Sequence, residues 1–142
     1  KNISQQNLHS EEISRHVTKI AKNKKVRDVV NQVQIKIIKT NNRICVEGRD
    51  IASKILAKKP RYDLAFYFRC NLDIASQRRW LDLKKTVSLK DVKQSLQKRT
   101  TMDKKRKNSP LIKVKDAILI NSGKLTKNQV LTKMSFYIDK LN

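Results

Sequence analysis

Glycine is nearly missing from this chain, with two in 142 residues, and proline and cysteine also occur twice each. So little glycine and proline excludes a low-complexity or disordered polypeptide. It also excludes a glycine-rich phosphate loop ending in Gly-Lys-Ser/Thr. Two cysteines, Cys45 and Cys70, cannot make a disulfide framework and lack metal-ligand spacing. Each sits in an apolar, strand-like run, so buried free thiols are expected. His9 and His16 both read as surface residues. Aromatics make up only 5%, too few for a base-stacking platform. No apolar run approaches the roughly 20 residues that span a bilayer, and no signal-peptide pattern opens the chain. A cytoplasmic protein with no membrane partner is expected.

What is abundant is positive charge: 34 lysines and arginines against 12 acids, a net charge of +22. Such a balance favours nucleic acid or anionic surfaces. The lysines, however, are spread over every helix, which favours a general solvated basic surface. A hydrophobic content of 38% in 142 residues suits a single domain, 1–142, since chains of this size bury about 70% of their unfolded surface.

Hydrophobic periodicity predicts a helix over 11–22, capped by Ser10, with Ile13, Val17, Ile20 and Ala21 on one face. A second helix, 24–39, carries Val26, Val30, Val33 and Ile37, and Asn41-Asn42 makes a turn. Ile44 to Glu47 reads as a short buried strand, with Gly48 allowing a sharp turn after it. A short helical piece precedes Pro60. Strands are expected at 64–68 and 117–120, apolar throughout as in buried parallel sheets. Helices are expected at 72–83, with Leu72, Ala75, Arg79 and Leu83 near one face, and at 89–106, opened by a Ser88/Asp91 box. A last helix opens on a Thr126/Gln129 capping box, with Val130, Met134, Ile138 and Leu141 inward. Strands separated by helices imply the α/β class, a parallel sheet with helices on both faces. In such sheets ligands bind at the carboxyl ends of strands, where Gly48-Arg49-Asp50 falls.

Arg99, Asp103 and Arg106 follow one another at i, i+4 and i+7, a plus–minus–plus column on one helix face above Val92 and Leu96. The planar forks of Arg49 and Arg99 suit phosphate oxygens. Asp50 can accept from an exocyclic amine and Asp103 from sugar hydroxyls. An ordinary surface ion-pair ladder would look the same, and taken alone that reading prevails.

The order of these elements is what resembles bacterial cytidylate kinase. Glu11-Glu12-Ile13-Ser14 and Thr18-Lys19-Ile20-Ala21 precede Val26-Arg27. Glu47-Gly48-Arg49-Asp50-Ile51 and Arg78-Arg79 follow, then Arg99, Asp103 and Arg106 up to Pro110-Leu111. Asp116-Ala117-Ile118-Leu119-Ile120 and Leu125-Thr126 close the set. The resemblance implies that Arg49 meets the acceptor phosphate. It implies that Arg27 and Asp50, assisted by Arg106, read the cytosine edge. Thr18, Arg99 and Asp103 would hold the sugar. Arg78 and Arg79 would act catalytically as arginines of a mobile lid, around 72–106. The reaction implied is phosphoryl transfer from ATP, with Mg2+, to CMP or dCMP, giving CDP or dCDP; no metal-ligating residues are implied.

Several departures shape the expectation. The phosphate loop and its strand, which open the family's fold, are not in this sequence. The resemblance is therefore to the later part of a P-loop nucleoside monophosphate kinase: a partial three-layer parallel sheet with flanking helices, missing its first strand. Opening on Lys1, the chain is expected to be a fragment, poorly folded and inactive without an amino-terminal segment. Ala52-Ser53 replaces the family's usual Gly-Thr, residues around Lys58-Lys59-Pro60 lengthen the route to the next strand, and Ala75 replaces a frequent lid arginine. The rival expectations are a basic nucleic-acid-binding or ribosome-associated protein, and a decayed kinase remnant.

Overall fold

The computed structural model describes Ile13, His16, Val17, Ile20 and residues 23–141. Contacts divide the chain into two units, Lys1–Glu47 and Gly48–Asn142, each described by itself.

In the first unit Ile13, His16, Val17 and Ile20 are helical; Ser10, Ala21 and the other expected members of that helix lie outside the described residues. Helix α1, Lys24–Lys39, matches its expected bounds. Asn23 starts it, its side chain accepting from the amides of Lys25 at 2.9 Å and Val26 at 3.4 Å. Lys36 and Lys39 lie in the last turn, where cations oppose the helix dipole. The stripe Val26, Val30, Val33 and Ile37 is present but exposed. Beyond Thr40 and a bend at 42–43 comes the first correction: residues 44–47 form no strand. Ile44 is 44% exposed, and Cys45 is exposed rather than buried. A strand needs a neighbour for its main-chain groups, and no described strand pairs with this segment.

The second unit is α/β. Strands β1, Phe66–Arg69, and β2, Ile118–Asn121, pair in parallel, with Phe66 opposite Ile118 and Arg69 opposite Asn121. The expected third strand is the missing 44–47, so the sheet among the described residues has two strands. Before the ladder, Arg61 and Tyr62 both hold the Asp116 carboxylate, at 2.5 and 2.7 Å. The Ile118 amide then donates to the Ala65 carbonyl at 2.9 Å. Burial does not run throughout: Ile120 is fully buried, while Phe68 and Leu119 are nearly half exposed. Successive strand residues face opposite sides; on β2 Ile120 is closed over and its neighbours Leu119 and Asn121 are not, while on β1 exposure rises toward the carboxyl end.

Between the strands run α2, Leu72–Asp82, and α3, Leu89–Lys105, packed on each other. Leu72, Ala75, Arg79 and Leu83 are half-buried as expected, but Ser76 is buried deepest, its hydroxyl donating to the Leu72 carbonyl. The Trp80 indole donates to the Val87 carbonyl at 2.8 Å, and Lys93 pairs with Asp73. Ser88 caps α3 by accepting from the Asp91 amide, while its hydroxyl donates to the Asp91 carboxylate. Thr126 and Gln129 form the reciprocal box expected for α4, Lys127–Ile138. Val130 and Met134 turn inward, but Ile138 and Leu141 are exposed. The helix ends at Ile138 and tightens into a 3-10 turn, shifting the phase. Tyr137 instead meets Phe66 edge to face, with centroids 6.3 Å apart. No helix among the described residues is long and apolar enough to cross a membrane.

Candidate functional site

The second unit gathers Arg49, Arg99, Asp103 and Arg106. The two ends of this cluster are positioned by unlike devices. Arg49 follows Gly48 and precedes a π-helical turn, Ile51–Ile55, which buries Ile55 and Leu56. The chain bends at 49–50, just after Gly48 as expected, and Gly48 makes that bend without a positive φ. Its lack of a side chain matters for space: a Cβ there would lie 2.7 Å from Ile51 Cγ1. On α3, Val92 is 2% exposed and Leu96 half-buried, so the apolar stripe anchors the helix as its spacing implied. The last turn of α3 then delivers Asp103, and its carbonyl accepts from the Leu111 amide at 2.8 Å. Ser109, buried with φ 55°, sits in the loop between Arg106 and Pro110.

Asp103 is the centre. Its side chain is 6% exposed; Oδ1 receives the Arg106 guanidinium, and Oδ2 lies 3.5 Å from Arg49 Nε. That second contact is an ion pair without hydrogen-bond geometry, and Oδ2 is buried with no donor. An orphaned acceptor of this kind costs about 1–3 kcal/mol, which a ligand donor would recover. Burial, then repulsion from Arg99, lowers the Arg49 guanidinium from its ordinary value; Arg106 adds to this, and Asp103 and Tyr67 oppose it. It stays charged at neutral pH. Two guanidiniums, of Arg49 and Arg106, thus meet one carboxylate, with the Arg99 charge near enough to act on Arg49, an arrangement suited to an anion that also carries a hydrogen-bond donor.

The other expected residues that the structure describes lie on their own elements. Asp50 begins the π-helical turn, its carbonyl accepting from Lys54 at 2.8 Å. Arg27 is in the first turn of α1, within the first unit, and half-buried. Thr18 lies outside the described residues. Arg78 does not join the cluster: it donates to the carbonyls of Ser122, at 3.0 Å, and Leu125, at 3.4 Å. Arg79 is half-buried on α2. Among the described residues, no three histidines, cysteines or carboxylates group as a metal site.

A sequence model of the family described as cytidylate kinase matches residues 1–140. Among curated proteins, the cytidylate kinase of Rickettsia canadensis is 33% identical over 134 residues, 92% of this chain and 60% of that protein. Those of Rickettsia rickettsii and Rickettsia felis are 32% and 33% identical with the same coverage. The chain therefore spans 60% of the length of the curated relatives it matches. On a match running nearly end to end, the chain belongs to the cytidylate kinase family.

Proposed function

We propose that this chain is the acceptor-binding part of a nucleoside monophosphate kinase that transfers the γ-phosphoryl of ATP to CMP or dCMP. The observation that carries this reading is the meeting of Arg49 and Arg106 on a buried Asp103, with the Arg99 charge acting on Arg49, in a chain of this family. In it, Arg49 takes the acceptor phosphate, Arg27 and Asp50 read the cytosine edge with Arg106, and Thr18, Arg99 and Asp103 hold the sugar. The parallel pair β1–β2 is then part of a P-loop kinase sheet, and the α2–α3 pair its lid. Arg79 and Arg78 would neutralise charge on the transferring phosphoryl group. For Arg78 that requires leaving the carbonyls of Ser122 and Leu125.

The family implies ATP and Mg2+, but these residues do not fit a donor site. With glycines only at 48 and 123, no glycine-rich loop of main-chain amides is available to cradle a triphosphate, and among the described residues no three histidines, cysteines or carboxylates group as a cation site. The chain alone binds acceptor and does not turn over, and a phosphate-loop segment must be supplied to it. The test is competition of CMP against UMP for residues 1–142 at fixed salt. A preference for CMP is expected. Equal affinities, or a preference for polynucleotide with steep salt dependence, would overturn the reading.

A further inference from the structure

Helix α1 leaves a stripe of aliphatic side chains in solvent. Val26, Val30, Val33 and Ile37 recur at i, i+4, i+7 and i+11 with Val29 between them, and their exposures run from 38% at Val26 to 61% at Val29. No residue of the helix is buried, while Asn31, Gln34, Ile35 and Ile38, on another side, are half-buried. The helix is thus partly covered on one side and bare along its most continuous apolar stripe. That stripe is about 17 Å long. Aliphatic residues gathered in this way mark a contact surface, unlike the single ones scattered over any protein. Lys25 and Lys36, at i−4 and i+7 from Val29, border it, and Asp28, the one acid of the helix, lies on the far side.

We infer that this stripe is the docking face of the amino-terminal, phosphate-loop segment, and that the segment brings to it an apolar surface edged with carboxylates. The inference rests on the functional reading above, in which such a segment has to be supplied. The cytidylate kinases of Rickettsia canadensis and Rickettsia rickettsii match this chain over their later part and 60% of their length. They therefore carry ahead of it a stretch long enough to cover such a face. Other occupants fit less well. A second copy would set lysines against lysines in a chain of net charge +22. A lipid surface would welcome the cations, but helices that lie in membranes insert Trp, Phe or Leu, and the apolar residues of α1 are all valine and isoleucine. Those β-branched side chains are stiff and lose little rotamer freedom on burial, which suits a fitted protein surface.

The test reads the cover directly. Val33→Cys puts a thiol in the middle of the stripe, and Asp28→Cys puts one on the far side. Each is made in residues 1–142 and in the same chain joined, ahead of Lys1, to the amino-terminal part of the Rickettsia canadensis protein that it does not match. Labelling by iodoacetamide is followed peptide by peptide, so that Cys45 and Cys70 are read separately. Both thiols should label readily in residues 1–142. In the joined chain Val33→Cys should be slowed about tenfold or more and Asp28→Cys left fast. Adding Val30→Lys should then restore fast labelling of Val33→Cys. Equal labelling of Val33→Cys with and without the segment overturns the proposal, as does slowing of both thiols or protection that survives Val30→Lys. Protection of residues 1–142 alone that grows with protein concentration, or that appears with vesicles of anionic lipid, assigns the stripe to another occupant and overturns it too. No nucleotide enters this experiment, so it can fail while CMP stays preferred over UMP, and the converse holds.

Discussion

The Nε of Arg49 stands 3.5 Å from Oδ2 of Asp103, an ion pair that joins the turn after Gly48 to the last turn of α3. The partners are unequal. The carboxylate is buried and the guanidinium more than a third exposed. Asp103 therefore depends on its arginines far more than they depend on it, and Arg106, the more enclosed of the two, carries most of that compensation.

Arg106→Met should destabilise the protein by about 2–4 kcal/mol. Stranding one partner of a buried pair costs about 3–5 kcal/mol, reduced here because the Arg106 side chain is 18% exposed. Lys104→Met, on the exposed side of the same turn, should change stability by less than about 0.5 kcal/mol. Urea midpoints of the two variants check this, and similar losses would mean that general charge, not the Asp103 pair, is at stake.

Ile120 is fully buried on β2 while Leu131 is 60% exposed on α4. Ile120→Ala should cost about 2–5 kcal/mol, cavity included. Leu131→Ala should stay within about 0.5 kcal/mol. Thermal melts monitored by far-UV circular dichroism separate the two, and a larger loss at Leu131 would mean that α4 packs differently.

Gly48→Ala places a methyl 2.7 Å from Ile51 Cγ1, an atom near the backbone of a β-branched side chain with little room to move. Overpacking of this kind costs about 1–3 kcal/mol, and relief comes by shifting the π-helical turn that begins at Asp50. The expected outcome is a lower melting temperature together with weaker binding of ethyl phosphate, because Arg49 moves with the turn. Unchanged binding would show that Arg49 is positioned independently of Gly48.

How much of this was legible in the sequence depended on whether a pattern closes on itself. Helices α1 to α4 were readable because caps and apolar periods are local: Ser88 and Thr126 both cap where they stand. The column Arg99, Asp103, Arg106 was readable for the same reason. Strand 44–47 was not, because Ile44-Cys45-Val46-Glu47 carries strand composition but a strand exists only through its neighbour. Arg78 illustrates the same limit at a side chain. Its resemblance to a lid arginine is a matter of sequence, whereas its bonds to Ser122 and Leu125 come from a segment more than forty residues away.

If Arg27 and Asp50 read the base, Arg27→Met and Asp50→Ala should each erode the preference for CMP over UMP, since one base-edge pair carries about 1–3 kcal/mol of discrimination. Arg106→Ala should weaken binding of both nucleotides, and Lys104→Ala should not. Competition titrations at one salt concentration measure all four. Intact selectivity in both Arg27→Met and Asp50→Ala would remove those residues from the base edge.

The residues 1–142 by themselves should not phosphorylate CMP from ATP. Arg49 and Arg79 can gather phosphate charge, and Arg78 can once it leaves its carbonyls. Nothing in this sequence forms the backbone cradle and lysine that hold a donor's β- and γ-phosphates, since Gly48 and Gly123 lie too far apart to share a loop. Phosphoryl transfer asks little acid–base chemistry of a protein and much positioning. Alignment of the reactants supplies about 7–11 kcal/mol of barrier reduction, so a missing donor site should abolish turnover outright. The measurement is CDP formation from ATP and CMP by the purified chain, with and without a family-type phosphate-loop segment added in trans. Turnover only after complementation is the expected result, and Arg78→Met should then lower it. Robust turnover by the bare chain would place the donor site among residues not assigned to it here.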